Sequence, residues 1–188
     1  SEPETAVVKV TCPVNKGAAV DYAIHCETDN GPVFFCCKGC KKAFAENPGK
    51  FVDSVSEQRQ QLGGLEKVQV LCPVSLKPID PAVTFEEDGQ RLSFCCGGCL
   101  EKYRKSPEDF ASGLANSFTY QTLCPVSGKP ISSAAFVPIN ENTQLYFCCE
   151  NCKKAFSEDP AKFSDKVKGL GIKLEADKVV GGQKVAAN

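Results

Sequence analysis

The chain has 188 residues, a formal net charge of −1 and a charged fraction of 24%, so there is no broad basic surface and no nucleic-acid partner is expected. No apolar run is long enough to cross a bilayer, which excludes a helical membrane span. Cysteine is the outlier: 13 residues beside a single histidine. That density leaves a disulfide framework or a set of thiolate metal sites, and an odd number cannot close fully into intrachain disulfides.

The chain opens at Ser1 and contains no Met, so the native start is expected to be missing, either because a targeting segment was removed, as for an exported or periplasmic protein, or because the chain was cut. The first ten residues are polar and strand-like. A repeat then organises everything that follows. Its first copy opens at Cys12-Pro13-Val14, its second at Cys72-Pro73-Val74 and its third at Cys124-Pro125-Val126. In the first copy an apolar stretch, Ala23 to Cys26, meets the turn Asp29-Asn30-Gly31 and returns through Val33-Phe34-Phe35, which predicts a β-hairpin. The second copy turns at Asp88-Gly89 and the third between Asn140 and Asn142.

Each returning strand ends in a doubled cysteine: Cys36-Cys37, Cys95-Cys96 and Cys148-Cys149, followed by Cys40, Cys99 and Cys152. The aromatics Phe44, Tyr103 and Phe156 stand four residues on, so a short helix is expected to start at the doubled cysteine. Pro48, Pro107 and Pro160 mark the start of a second helix, with Asn47, Ser106 and Asp159 as its N-caps and Phe51, Phe110 and Phe163 turning inward. Residues 53–67, with Gly63-Gly64, continue the second helix and link the first two units. Gly113 to Thr119 forms a shorter second link, and the tail after Lys166 is expected to be partly helical and then frayed. The reading is an α+β chain of three small units at 8–52, 68–112 and 120–165, each a β-hairpin followed by two short helices.

A unit of this size buries too little apolar surface to stand without a staple or a metal. Twelve cysteines fall in the repeat, four per unit, and only Cys26 is extra. Cys36 and Cys40 lie four residues apart across a helix start, which puts both sulfurs on one face; Cys95 and Cys99, and Cys148 and Cys152, do the same. The hairpin can bring Cys12, Cys72 or Cys124 back beside its own pair. A helix N-terminus favours thiolate over thiol, so three sulfurs per unit can converge on one soft ion.

This spacing resembles the TRASH and YHS families of small metal-binding modules. The resemblance rests on Cys124-Pro-Val-Ser-Gly-Lys-Pro, on Tyr146-Phe147-Cys148-Cys149-Glu-Asn-Cys152, and on Phe156 and Pro160. It covers nearly all of 10–52, 70–111 and 122–164. It implies a treble-clef-like fold and a role in binding, sensing or trafficking heavy metals, with copper or zinc as the ion. Unit one departs at Asn15-Lys16-Gly17 and by carrying His25 and Cys26.

The fourth ligand stays open. Closed zinc sites are four-coordinate and commonly use Cys-x-x-Cys pairs, yet the position three beyond each opening cysteine is Asn15, Ser75 or Ser127. If Cys37, Cys96 and Cys149 join, each unit is a four-sulfur site suited to zinc; if not, it is a three-sulfur site suited to Cu(I). They could also be small core residues. Cys26 aligns with Phe85 and Val137, which favours a core role. His25 aligns with Thr84 and is expected at the surface.

Three function classes follow. The first is a carrier that stores, delivers or senses a soft metal and exchanges it with a protein partner. The second is a structural zinc protein serving protein–protein interaction. The third is a thiol redox protein using the Cys-x-x-Cys spacing from Cys37 to Cys40 and its equivalents. One histidine and no catalytic constellation give little material for acid–base chemistry, so no enzyme is expected.

Overall fold

In the computed structural model, which describes residues 9–174, the chain is mixed α+β and the hairpin–helix–helix order occurs three times. Unit one contains β1 (Asp21–Thr28), β2 (Gly31–Phe35), α1 (Lys38–Glu46) and α2 (Val52–Gly63). A short strand β3 (Val68–Gln69) leads into β4 (Asp80–Glu87), β5 (Gln90–Phe94), α3 (Gly97–Lys105) and α4 (Ala111–Ala115). After β6 (Phe118–Thr119) come β7 (Ser132–Pro138), β8 (Gln144–Phe147), α5 (Glu150–Glu158) and α6 (Ser164–Gly169). The expected fraying at the far C-terminus lies outside the described residues, as do the first eight.

The three hairpins share one irregularity. Asp21 pairs with Phe35 and His25 with Phe34, so three residues of β1 bulge out between adjacent residues of β2. Asp80 and Thr84 repeat this against Phe94 and Ser93, and Ser132 and Phe136 against Phe147 and Tyr146. The bulge has a local cause. The side chains of Asp21, Asp80 and Ser132 accept hydrogen bonds from the amides of Ala23, Ala82 and Ala134, two residues on, the side-chain turn that competes with a regular ladder. The same register places Cys26 opposite Val33, Phe85 opposite Leu92 and Val137 opposite Leu145, so these three positions are structurally equivalent.

Packing follows the repeated aromatics. Phe35 meets Phe44 at 5.3 Å between ring centroids, and Phe44 meets Phe51 at 6.2 Å. Phe94, Tyr103 and Phe110 form the same chain in unit two, and Phe147, Phe156 and Phe163 in unit three. Of the three rings expected to turn inward after the prolines, Phe163 is buried, whereas Phe51 and Phe110 are only partly so. The prolines start a single 3₁₀ turn before the helix proper. Among its expected caps only Asp159 accepts a hydrogen bond, from the Lys162 amide; Asn47 and Ser106 cap with their backbone carbonyls instead.

Each unit has its own apolar cluster, and the units are also stitched together. β3 pairs antiparallel with β6, joining the two linkers. The Ala23 carbonyl accepts from Asn140 Nδ2 and Thr143 Oγ1, and Asn116 Nδ2 donates to the Thr28 carbonyl. Tyr22, Phe34 and Tyr120 stack where units one and three meet. Gly113 is fixed by close approach: a Cβ there would collide with the Pro73 carbonyl of unit two's opening turn.

Candidate metal centres

Three groups of three thiols stand ready to hold a metal ion: Cys12, Cys36 and Cys40; Cys72, Cys95 and Cys99; Cys124, Cys148 and Cys152. Within each group all sulfurs lie within 4.8 Å of one another. The two on the strand end and helix start are 3.6 Å apart in unit one and 3.5 Å apart in units two and three. Thiolates arranged tetrahedrally about zinc at its usual bond length lie about 3.8 Å apart, so little motion separates these groups from a filled site. All thirteen cysteines are free thiols.

Local structure explains the convergence. The opening cysteine starts a tight turn. Its amide donates to the carbonyl of Ala18, Lys77 or Lys129 across that turn, and short bridges pair Thr11 with Ala19, Leu71 with Pro78 and Leu123 with Pro130. The turn needs a left-handed residue. Gly128 supplies it in unit three, whereas unit two forces Leu76 there at φ 55. The opening cysteines end up almost fully covered, at 1%, 0% and 2% exposure for Cys12, Cys72 and Cys124. The other two in each group are half-buried.

A glutamine that sequence reasoning missed ties the two ligand-bearing segments together in every unit. Gln121 Oε1 accepts from the Tyr146 amide, and its Nε2 donates to the carbonyls of Tyr146 and Leu123. Tyr146 lies two residues before Cys148, and Leu123 immediately precedes Cys124. Gln69 makes the equivalent bonds to Ser93 and Leu71. In unit one Gln58, from α2, does so to Phe34 and Thr11. The signal present in the sequence is the shared Gln-x-Leu-Cys-Pro-Val before units two and three; unit one lacks it.

The position that a complete knuckle would give to cysteine points into each site. Ser75 Oγ lies 3.2 Å from Cys95 Sγ and Ser127 Oγ 3.1 Å from Cys148 Sγ. In unit one Asn15 Nδ2 is 3.9 Å from Cys36 Sγ. These groups hold the thiols unequally. Burial would raise Cys72 and Cys124, but hydrogen bonds from backbone amides and from the Ser75 or Ser127 hydroxyl outweigh it and lower both to about 7. Cys12 is lowered against burial in the same way by the amides of Asn15, Cys36 and Val14. Burial first, then hydrogen bonds shared with the neighbouring thiols, push Cys99 and Cys152 up to about 12; Cys40 moves in the same direction.

Cys37, Cys96 and Cys149 lie outside these groups. Each occupies the N-cap of α1, α3 or α5 in extended conformation and is exposed, so none is core filler. Their thiols are lowered first by the amide of the cysteine three residues on, at the helix N-terminus. Cys26 is half-buried against unit one's cluster. His25, expected at the surface, packs instead between units: Nε2 lies 3.0 Å from the Asn142 carbonyl, and Nδ1 is buried without a partner. No helix among the described residues is long and apolar enough to cross a membrane. Comparison with family models, with curated proteins and with solved structures finds no match to this chain.

Proposed function

We propose that the protein binds three soft transition-metal ions, copper or zinc, one in each unit, and stores, delivers or senses them. The observation that carries this reading is the triple recurrence of three convergent thiols, each with a covered opening cysteine. Three thiolates suit Cu(I), which accepts a three-coordinate sulfur site, whereas zinc asks for a fourth ligand. The resemblance to TRASH and YHS modules points the same way. We infer a carrier rather than a catalyst. A thiol redox role draws support from the exposed, pKa-lowered Cys37, Cys96 and Cys149 in Cys-x-x-Cys spacing, but it leaves the converging opening cysteine without a part.

The test is elemental analysis of protein purified anaerobically without added metal, for the parent and for Cys12→Ser, Cys72→Ser and Cys124→Ser. The reading expects bound copper or zinc in the parent and a loss confined to one unit in each variant. Metal content that none of the three substitutions changes would overturn it.

A further inference from the structure

Beside each cluster stands one more cysteine of the repeat that the cluster does not use; the Cys26 of unit one, packed against the apolar cluster, is additional. In each cluster the opening sulfur is covered and the other two are half-buried, while Cys37, Cys96 and Cys149 face solvent. The extra sulfur is nevertheless close: Cys96 Sγ is 3.8 Å from Cys95 Sγ, and Cys149 Sγ is 3.7 Å from Cys148 Sγ. That spacing is what two thiolates on one ion would show. All three of these sulfurs belong to exposed residues, so another molecule's ligand could approach them, and in units two and three they touch a cluster sulfur as well.

We propose that Cys37, Cys96 and Cys149 are hand-over ligands, through which a thiolate-bound metal carrier loads and unloads the three-sulfur clusters. This rests on the metal-site reading above. An ion held by thiolates keeps its coordination during exchange only if a new bond forms as an old one breaks, and an incoming carrier cannot reach the covered cysteine directly. In loading unit two from a carrier that holds the ion through three thiolates, the Cys96 sulfur bonds to the ion as the first carrier thiolate leaves and takes the Cys96 proton. Cys95 and Cys99 then each bond to the ion as a further carrier thiolate leaves with that thiol's proton. Cys72 finally replaces Cys96 on the ion, its proton returns to Cys96, and the oxidation state of the metal is unchanged throughout.

The test compares the parent chain with the triple variant Cys37→Ser, Cys96→Ser, Cys149→Ser by stopped-flow transfer. Cu(I) is delivered from its bicinchoninate complex and zinc from its pyridylazoresorcinol complex, each followed by loss of chelator colour. The proposal expects the same end point, three equivalents, reached about tenfold more slowly or worse in the variant. An unchanged rate makes these cysteines bystanders and overturns it. A lowered end point makes them permanent fourth ligands and also overturns it. A parent that takes up neither metal removes the cluster reading itself, a distinguishable failure. The single variants guard against a folding defect: each should slow about a third of the amplitude, since each touches one of three similar sites, and single variants with the parent's full fast phase overturn the proposal.

Discussion

Gln121→Leu tests the link between fold and site most sharply. Gln121 is 6% exposed and makes three hydrogen bonds to backbone groups, at 2.9 Å, 2.6 Å and 3.0 Å. Leucine fills similar space but leaves the Tyr146 amide and carbonyl and the Leu123 carbonyl without this partner. At about 1 kcal/mol per bond the loss is roughly 3 kcal/mol, and for a chain of this length that lowers the melting temperature by roughly 6–12 °C. The bonds hold the segments that carry Cys124 and Cys148, so unit three should also lose about 10–100-fold in metal affinity, the effect of removing a supporting partner. Thermal denaturation of the metal-free chain reads the first effect, and competitive chelator titration the second. Gln58→Leu should transfer both effects to unit one, although its glutamine comes from a helix. A Gln121→Leu protein as stable as the parent, with three sites of unchanged affinity, would refute the idea that this side chain positions the ligands.

Cys26→Val should leave the metal count unchanged, because its equivalents are Phe85 and Val137; loss of an equivalent in native mass spectrometry would make Cys26 a ligand. Metal binding should release more protons per ion as pH falls from about 8 to 6. Cys99 and Cys152, held at about 12, shed a proton throughout, while Cys72 and Cys124, at about 7, are still protonated only at the lower end; calorimetry in buffers of different ionisation enthalpy would show it, and a flat profile would count against it. Leu76→Gly should stabilise unit two by about 1 kcal/mol, since the left-handed φ is strained for leucine and free for glycine; denaturant titration measures this, and a destabilised variant would contradict it. His25 is lowered first by burial and also by Lys41, against the Asn142 carbonyl and Glu27, which raise it. Its folded pKa thus lies below its unfolded value of about 6.5. Its neutral form favours folding above that value, and the contribution is lost as pH falls through the folded pKa. His25→Gln should flatten the decline in melting temperature below about pH 6.5; an unchanged slope would refute this.

Most of the local fold was legible because the repeat is spelled in residues with fixed geometric roles. Cys-Pro-Val opens a turn, Phe-Cys-Cys ends a strand at a helix start, and proline begins the next helical turn. The alternation of a strand explains why adjacent cysteines part, Cys36 facing the cluster and Cys37 exposed; the sequence left Cys37 open as a fourth ligand because the helix start that follows can turn it either way. The glutamine bridge was harder to see. In unit one it comes from Gln58, far beyond Cys12, so aligning the three copies by their cysteines leaves it out. His25 was misplaced for a related reason: the face that is outside one hairpin is covered by the loop of another unit, and the pattern of one repeat says nothing about how repeats dock. The caps failed in part because Asn47 and Ser106 satisfy the first turn through backbone carbonyls, so side-chain preference did not decide the outcome.

If three clusters each hold one ion, the ions can be counted by native mass spectrometry of the reduced chain titrated with Cu(I), and separately with zinc. The account predicts saturation at three ions per chain for at least one of these metals, falling to two when Cys40, Cys99 or Cys152 is replaced by serine. A fully reduced chain that stays metal-free with both, or that keeps three ions after each of those substitutions, would contradict it.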